Sequence, residues 1–155
     1  MKITVKNVKI SPAASEETLC FEAVVYLDGK EAFLARNEGR GGCNRYIGDR
    51  KLVEQADAYA RSLPERMEQG ISYQPDLDTL VDDAISRWEL EKQARAILKT
   101  AAIAVDGQIL TFKCASTHPD FRPHVAKSHP NATILNDLPF DEVVAVIGRP
   151  GSSVQ

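Results

Sequence analysis

The sequence predicts an α+β fold: an antiparallel sheet, built from an N-terminal meander plus a second Asp-Gly hairpin, with two central helices packed on one face. Three observations predict it. The first fifty residues alternate apolar and polar side chains in strand fashion, residues 52–101 repeat apolar positions at helical spacing, and Asp28-Gly29 and Asp106-Gly107 are two-residue hairpin signals. At 155 residues and 43% hydrophobic content the chain suits one domain with its own core. That domain is taken as residues 1–150, with 151–155 as a frayed C-terminal tail.

Met1, Ile3 and Val5 share one face of an extended segment, and the phase then flips to Val8 and Ile10. A β-bulge near Lys6-Asn7 keeps both sets facing inward. Ser11 to Glu17 is a polar connection. Leu19, Phe21, Ala23, Val25 and Leu27 then alternate with Cys20, Glu22, Val24 and Tyr26, which is apolar enough on both faces for a central strand. Glu31 to Arg36 returns antiparallel, so the first fifty residues read as a three-stranded meander.

Asn37-Glu38-Gly39-Arg40-Gly41-Gly42-Cys43-Asn44-Arg45-Tyr46 is the joint between this meander and the helices. After it, Leu52, Val53, Ala56, Tyr59, Ala60 and Leu63 define a helix that Asp49 caps and Pro64 stops. Pro64 to Pro75 reads as a polar connection. Asp76 to about Ala101 is a longer helix with two stripes, Leu77 to Trp88 and Leu90 to Ala101, rotated from one another by more than about 90° at 100° per residue. The segment holds neither Pro nor Gly, which favours one helix with two contact faces over a broken one. Residues 101–113 form the second hairpin, 121–128 a helical turn or two, 132–135 a short strand, and 141–147 a short helix ended by Gly148 and Pro150.

The run YLDGKEAFLARNEGRGGCNRY, and more loosely ATILND, resembles a type of small protein found in bacteria and their phages. The resemblance covers mainly the first fifty residues and implies a phage or mobile-element accessory role. It brings no activity and no catalytic residues.

Charge narrows the function classes. The net charge of −3 is unevenly spread: residues 1–51 carry nine basic and seven acidic side chains, 52–91 three and ten, and 92–155 seven and five. A globally acidic chain is a poor nonspecific DNA binder, because clustered cations dominate that affinity. The N-terminus has no apolar signal region and no run is long enough to span a bilayer, so a cytoplasmic protein without membrane contact is expected. Three cysteines at wide spacings argue for free thiols.

Four candidate sites follow. A glycine-rich turn can aim backbone N–H groups at an anion, and Arg36, Asn37, Gly39, Arg40, Gly41, Gly42, Asn44, Arg45 and Tyr46 form the candidate anion or partner site. The segment is neither a Walker loop nor a dinucleotide fingerprint, and a plain chain-redirecting turn is its simplest reading. Asp78, Asp82, Asp83 and Glu89, with Trp88 as an anchor, form a candidate acidic face, against the simpler reading of a solvated helix surface. Cys114, His118, His124 and His129 are a weak metal candidate whose spacing matches no zinc module and lacks a second cysteine. Cys43 beside arginines is a nucleophile candidate, with an inert structural cysteine as the commoner case.

The expected function is that of a non-enzymatic binding or accessory protein without cofactor, contacting a host protein or protein–nucleic acid complex through the Gly/Arg loop, the acidic helical face or both. A small enzyme or nucleotide- or phosphate-binding protein using the loop is one alternative. A self-assembling protein, dimerising through the second helical stripe, is the other.

Overall fold

The computed structural model describes all 155 residues, and the chain is α+β, with ten strands and four α-helices. It divides into two compact units, Met1–Arg87 and Trp88–Gln155.

In the first unit, β1 (Ile3–Ile10), β2 (Cys20–Leu27), β3 (Lys30–Glu38) and β4 (Arg45–Gly48) form an antiparallel sheet in the order β1-β2-β3-β4. The bulge lies where the phase flip places it: the β1–β2 register shifts between Lys6 and Lys9, and Asn7 takes φ 52°. Asp28 and Gly29 turn the chain with φ 49° and 81°, the left-handed pair that matches strand twist. The meander has four strands, one more than the alternation predicts. β4 escapes a periodicity reading because it contributes only Tyr46 and Ile47 as apolar residues.

Period-two alternation divides this sheet into two different faces. Val5, Phe21, Ala23, Val25, Leu27, Phe33 and Ala35 are buried on one, together with Ala56 and Ala60 of α1 (Arg50–Arg61) and Leu77, Val81 and Ile85 of α2 (Leu77–Ile97). Asp49 caps α1 by accepting from the Lys51 N–H at 2.9 Å. On the other face, Val24 and Leu34 are half-exposed, and Arg36, Arg45 and Ile47 are exposed.

Between the helices, residues 64–75 are more than a polar connection. They form a hairpin of β5 (Arg66–Glu68) and β6 (Ile71–Tyr73), turned by Gln69 and Gly70 at φ 49° and 82°. It is a two-stranded sheet of its own. α2 runs unbroken, as its lack of Pro and Gly predicts, and the boundary between the units falls within it.

The second unit forms a separate sheet in the order β10-β8-β7-β9, from β7 (Ala101–Val105), β8 (Gln108–Phe112), β9 (Thr133–Ile134) and β10 (Ser153–Val154). One face carries Ala101 and Ile103 against Phe121 and Val125 of α3 (Phe121–Ser128). The other packs Ala102 and Ile109 against Ala94 and Ile97 of α2 and Val143, Val144 and Ile147 of α4 (Phe140–Ile147). This sheet is therefore covered on both faces, unlike the first. The last residues are not a frayed tail: β10 pairs parallel with β8, and the Gln155 N–H donates to Ile109 O at 2.9 Å. That pairing depends on Gly151 turning the chain at φ 83° after Pro150.

Candidate functional site

The glycine-rich joint is organised around Asn37, the one buried polar side chain of the protein, at 7% exposure. It ends the buried row of β3, where alternation calls for an apolar residue, and it is fully hydrogen-bonded instead. Its Oδ1 accepts from Thr18 Oγ1 and from the Gly39 N–H, each at 2.8 Å, and its Nδ2 donates to Gly42 O and Asn44 Oδ1, each at 2.9 Å. Gly39 is required there. It takes φ 82°, its carbonyl accepts from the N–H groups of Glu16, Glu17 and Thr18, and a Cβ on it would stand 2.2 Å from Ala14 O.

The loop does bind an anion, and that anion is the protein's own. The Asn44 N–H donates to Asp78 Oδ2 at 3.0 Å, Tyr46 Oη to Asp78 Oδ1 at 2.5 Å, and Asn44 Nδ2 to Asp82 Oδ1 at 3.1 Å. Of the donors that the sequence offers to a phosphate, the Asn44 N–H and amide and the Tyr46 hydroxyl are thus occupied by the first turns of α2, and the Gly39 and Gly41 N–H groups by Asn37 and Thr18. The start of α1 is not available to the loop either, because β4 intervenes and Asp49 caps it. Tyr46 packs edge-on against Phe33, with centroids 5.6 Å apart, and burial pushes its phenol up, the bond to Asp78 adding to the effect. It is a lock between sheet and helix, not a free stacking platform.

The acidic face is correspondingly reduced. Asp78 and Asp82 turn to the loop, and Asp83 accepts from Arg66 at 2.6 Å. Asp82 lies at the surface, yet partial desolvation of its carboxyl raises its pKa, the nearby Asp78, Asp83 and Asp76 adding and the Asn44 amide opposing. Glu89 is exposed, and Trp88 is half-buried with Lys92 Nζ 5.2 Å from its ring centre.

The structure does not assemble the metal candidates: no group of three or more His, Cys, Asp or Glu side chains is placed to hold an ion. The prolines and the α3 turn send the imidazoles to separate neighbours. His124 packs edge-on against Phe112, and His118 Nδ1 accepts from the Asp120 N–H at 3.3 Å. Cys114 is half-buried beside the core of the second unit, and Cys43 is exposed on the loop.

The basic side chains of the joint lie elsewhere than its donors, on the open face of the first sheet. Lys9, Glu22, Arg36 and Arg45 follow one another across the four strands as register partners, and Val24, Leu34 and Ile47 form the adjacent row. Lys9 pairs with Glu22 at 3.6 Å and Arg45 with Glu38 at 3.5 Å, so Arg36 and Arg40 carry the uncompensated charge. Beside them lies a shallow cleft of about 510 Å³, lined by Lys9, Cys20, Glu22, Arg36, Glu38 and Arg40 among others. Sequence reading found the arginines as a loop cluster. It missed Val24, Leu34 and Ile47 as their neighbours, although period two from Phe33 and Phe21 would have grouped them.

No protein-family model, curated protein or solved structure matches the chain. No helix is long and apolar enough to cross a membrane.

Proposed function

We propose that the chain is a non-enzymatic binding protein that docks an acidic, partly aliphatic protein segment on the open face of its N-terminal sheet. The observation that carries this reading is the pairing of Arg36 with Arg45, two like charges side by side, next to the row of half-exposed Val24 and Leu34 and exposed Ile47. Like charges directly opposite in a sheet are destabilising. An exposed aliphatic row flanked by cations is what a complementary partner would cover, with Arg supplying paired hydrogen bonds to carboxylates.

A protein partner is favoured over nucleic acid. Single-strand binding needs several aromatic platforms in a basic groove. This face offers Tyr26 alone, with Lys6 Nζ already 4.5 Å from its ring centre. The resemblance of residues 26–46 to bacterial and phage proteins makes a cytoplasmic host protein the natural partner of such an accessory role.

The test is affinity capture from host lysate, with and without nuclease, using the chain and an Arg36→Glu/Arg45→Glu copy. A nuclease-resistant partner lost in the double variant, whose addition shifts the amide resonances of Val24, Leu34 and Ile47, supports the reading. A partner retained by the variant, or one lost on nuclease treatment, overturns it.

A further inference from the structure

We infer that the β5–β6 hairpin of one copy docks on the open sheet face of a second copy, giving a weak head-to-tail association. This shares the sheet face with the proposed function and supplies a different occupant, carried by a different observation. Met67 and Ile71 are 71% and 70% exposed, the two most exposed large hydrophobic side chains of the protein. Both sit on a two-stranded ribbon that pairs with no other strand, an element of marginal stability alone.

Register places the two side chains on opposite faces of the ribbon, and each face also carries a carboxylate. Glu68 stands directly opposite Ile71. Met67 stands opposite Ser72, whose hydroxyl donates to Glu65 Oε2 at 2.6 Å. The base of the ribbon is tied down by Arg66 on Asp83, so the tip is presented on an anchored stem. The Ile71–Glu68 face of the ribbon, an aliphatic side chain beside a carboxylate, fits a surface offering an aliphatic row beside a guanidinium that is in no ion pair. Leu34 and Ile47 beside Arg36 are such a surface, and they belong to the same chain. The high exposure of Met67 and Ile71 shows that the hairpin does not reach that face in its own copy.

Because the two patches are different, the contact is heterologous and can propagate. An eight-residue ribbon covers less than a standard interface, so association is expected only at high concentration and to weaken with salt.

Sedimentation equilibrium of the purified chain tests it with two variants, Met67→Ser/Ile71→Ser and Arg36→Glu/Arg45→Glu. The unaltered chain should show an average mass that rises with concentration, and each variant alone should lose about tenfold or more in association constant. An equimolar mixture of the two variants should recover a dimer and nothing larger, since one intact hairpin then meets one intact face. Circular dichroism checks the fold of both, and Glu68→Lys, which leaves the apolar side chains in place, should also weaken association. A chain that stays monomeric throughout, a hairpin variant that still associates, or a mixture that recovers nothing overturns the inference. These readings use purified protein alone, so they fail independently of the lysate capture.

Discussion

Arg36 lies between Glu22 on β2 and Arg45 on β4 as register partner of both, and of the two arginines Arg45 is the one in an ion pair, with Glu38 at 3.5 Å. Arg36→Glu makes the cross-strand pair with Arg45 attractive and the pair with Glu22 repulsive. The two cross-strand effects nearly cancel, so the stability of the first unit should stay within about 0.5 kcal/mol of unchanged at either salt level, while partner capture weakens. Urea unfolding at low and high salt checks it. A loss of about 1 kcal/mol or more would mean that Arg36 is held by packing and not by function.

Asn37 makes four hydrogen bonds from a buried position. Asn37→Ala leaves the Gly39 N–H and the Thr18 hydroxyl without that acceptor and should cost about 2–4 kcal/mol. Asn37→Asp should be damaging too, because it presents a carboxylate to Gly42 O and Asn44 Oδ1. Thermal denaturation of both variants against the unaltered chain gives the answer, and a loss below 1 kcal/mol for alanine, the bottom of the range for one orphaned buried group, would refute the hub role.

Glycines of the joint should differ sharply in tolerance. Gly39 sits at φ 82° with a backbone oxygen 2.2 Å from where a Cβ would be, whereas nothing lies within 4 Å of a Cβ on Gly42. Gly39→Ala should therefore cost about 2 kcal/mol or more, and Gly42→Ala should lie within about 0.5 kcal/mol of neutral. Equal losses in the two variants would contradict this account of the loop.

Two carboxylates near the start of α2 should respond to pH in opposite directions. Burial works to raise Asp76, but the N–H and hydroxyl of Thr79, bonded at 2.9 and 2.8 Å, and the charge of Arg61 hold it below its ordinary value of 3.8. Its contribution is present above that value and lost as pH falls below it. Asp76→Ala should cost about 1 kcal/mol at pH 7, as a lost cap does, and less at pH 3. Asp82 is raised, so its charged form weakens the fold above its folded pKa, and the fold recovers as pH falls toward 3.8. Asp82→Asn should raise the melting temperature at pH 7, with the gain vanishing at pH 3. A constant difference across that range would mean that the desolvated charge of Asp82 costs the fold nothing.

Elements with a long apolar repeat were legible in the sequence. α1 and α2 followed from helical spacing, β2 and β3 from alternation, and both Asp-Gly turns from the need for two left-handed residues. β4 and the β5–β6 hairpin were not, for a common reason: Met67, Ile71 and Ile47 are exposed, so no buried face imposes a pattern on those strands. β10 stayed hidden because its parallel pairing with β8 is set by residues more than forty positions away. The joint was legible as a special backbone, through its glycines. Its ligand was not, because Asp78 lies thirty-four residues beyond Asn44 and reads locally as a helix-start carboxylate.

The lock that Asn37, Gly39 and Asn44 form has a consequence for how relatives of this chain should be interpreted. Those positions carry the fold of the loop, so selection against misfolding is enough to hold them invariant across a lineage, whatever the protein contacts. An alignment would then show an asparagine–glycine signature with the look of an active site and the origin of a hinge pin. The informative columns would be Arg36, Arg45 and Ile47, which nothing in the fold requires, and whose drift or constancy would track the proposed partner.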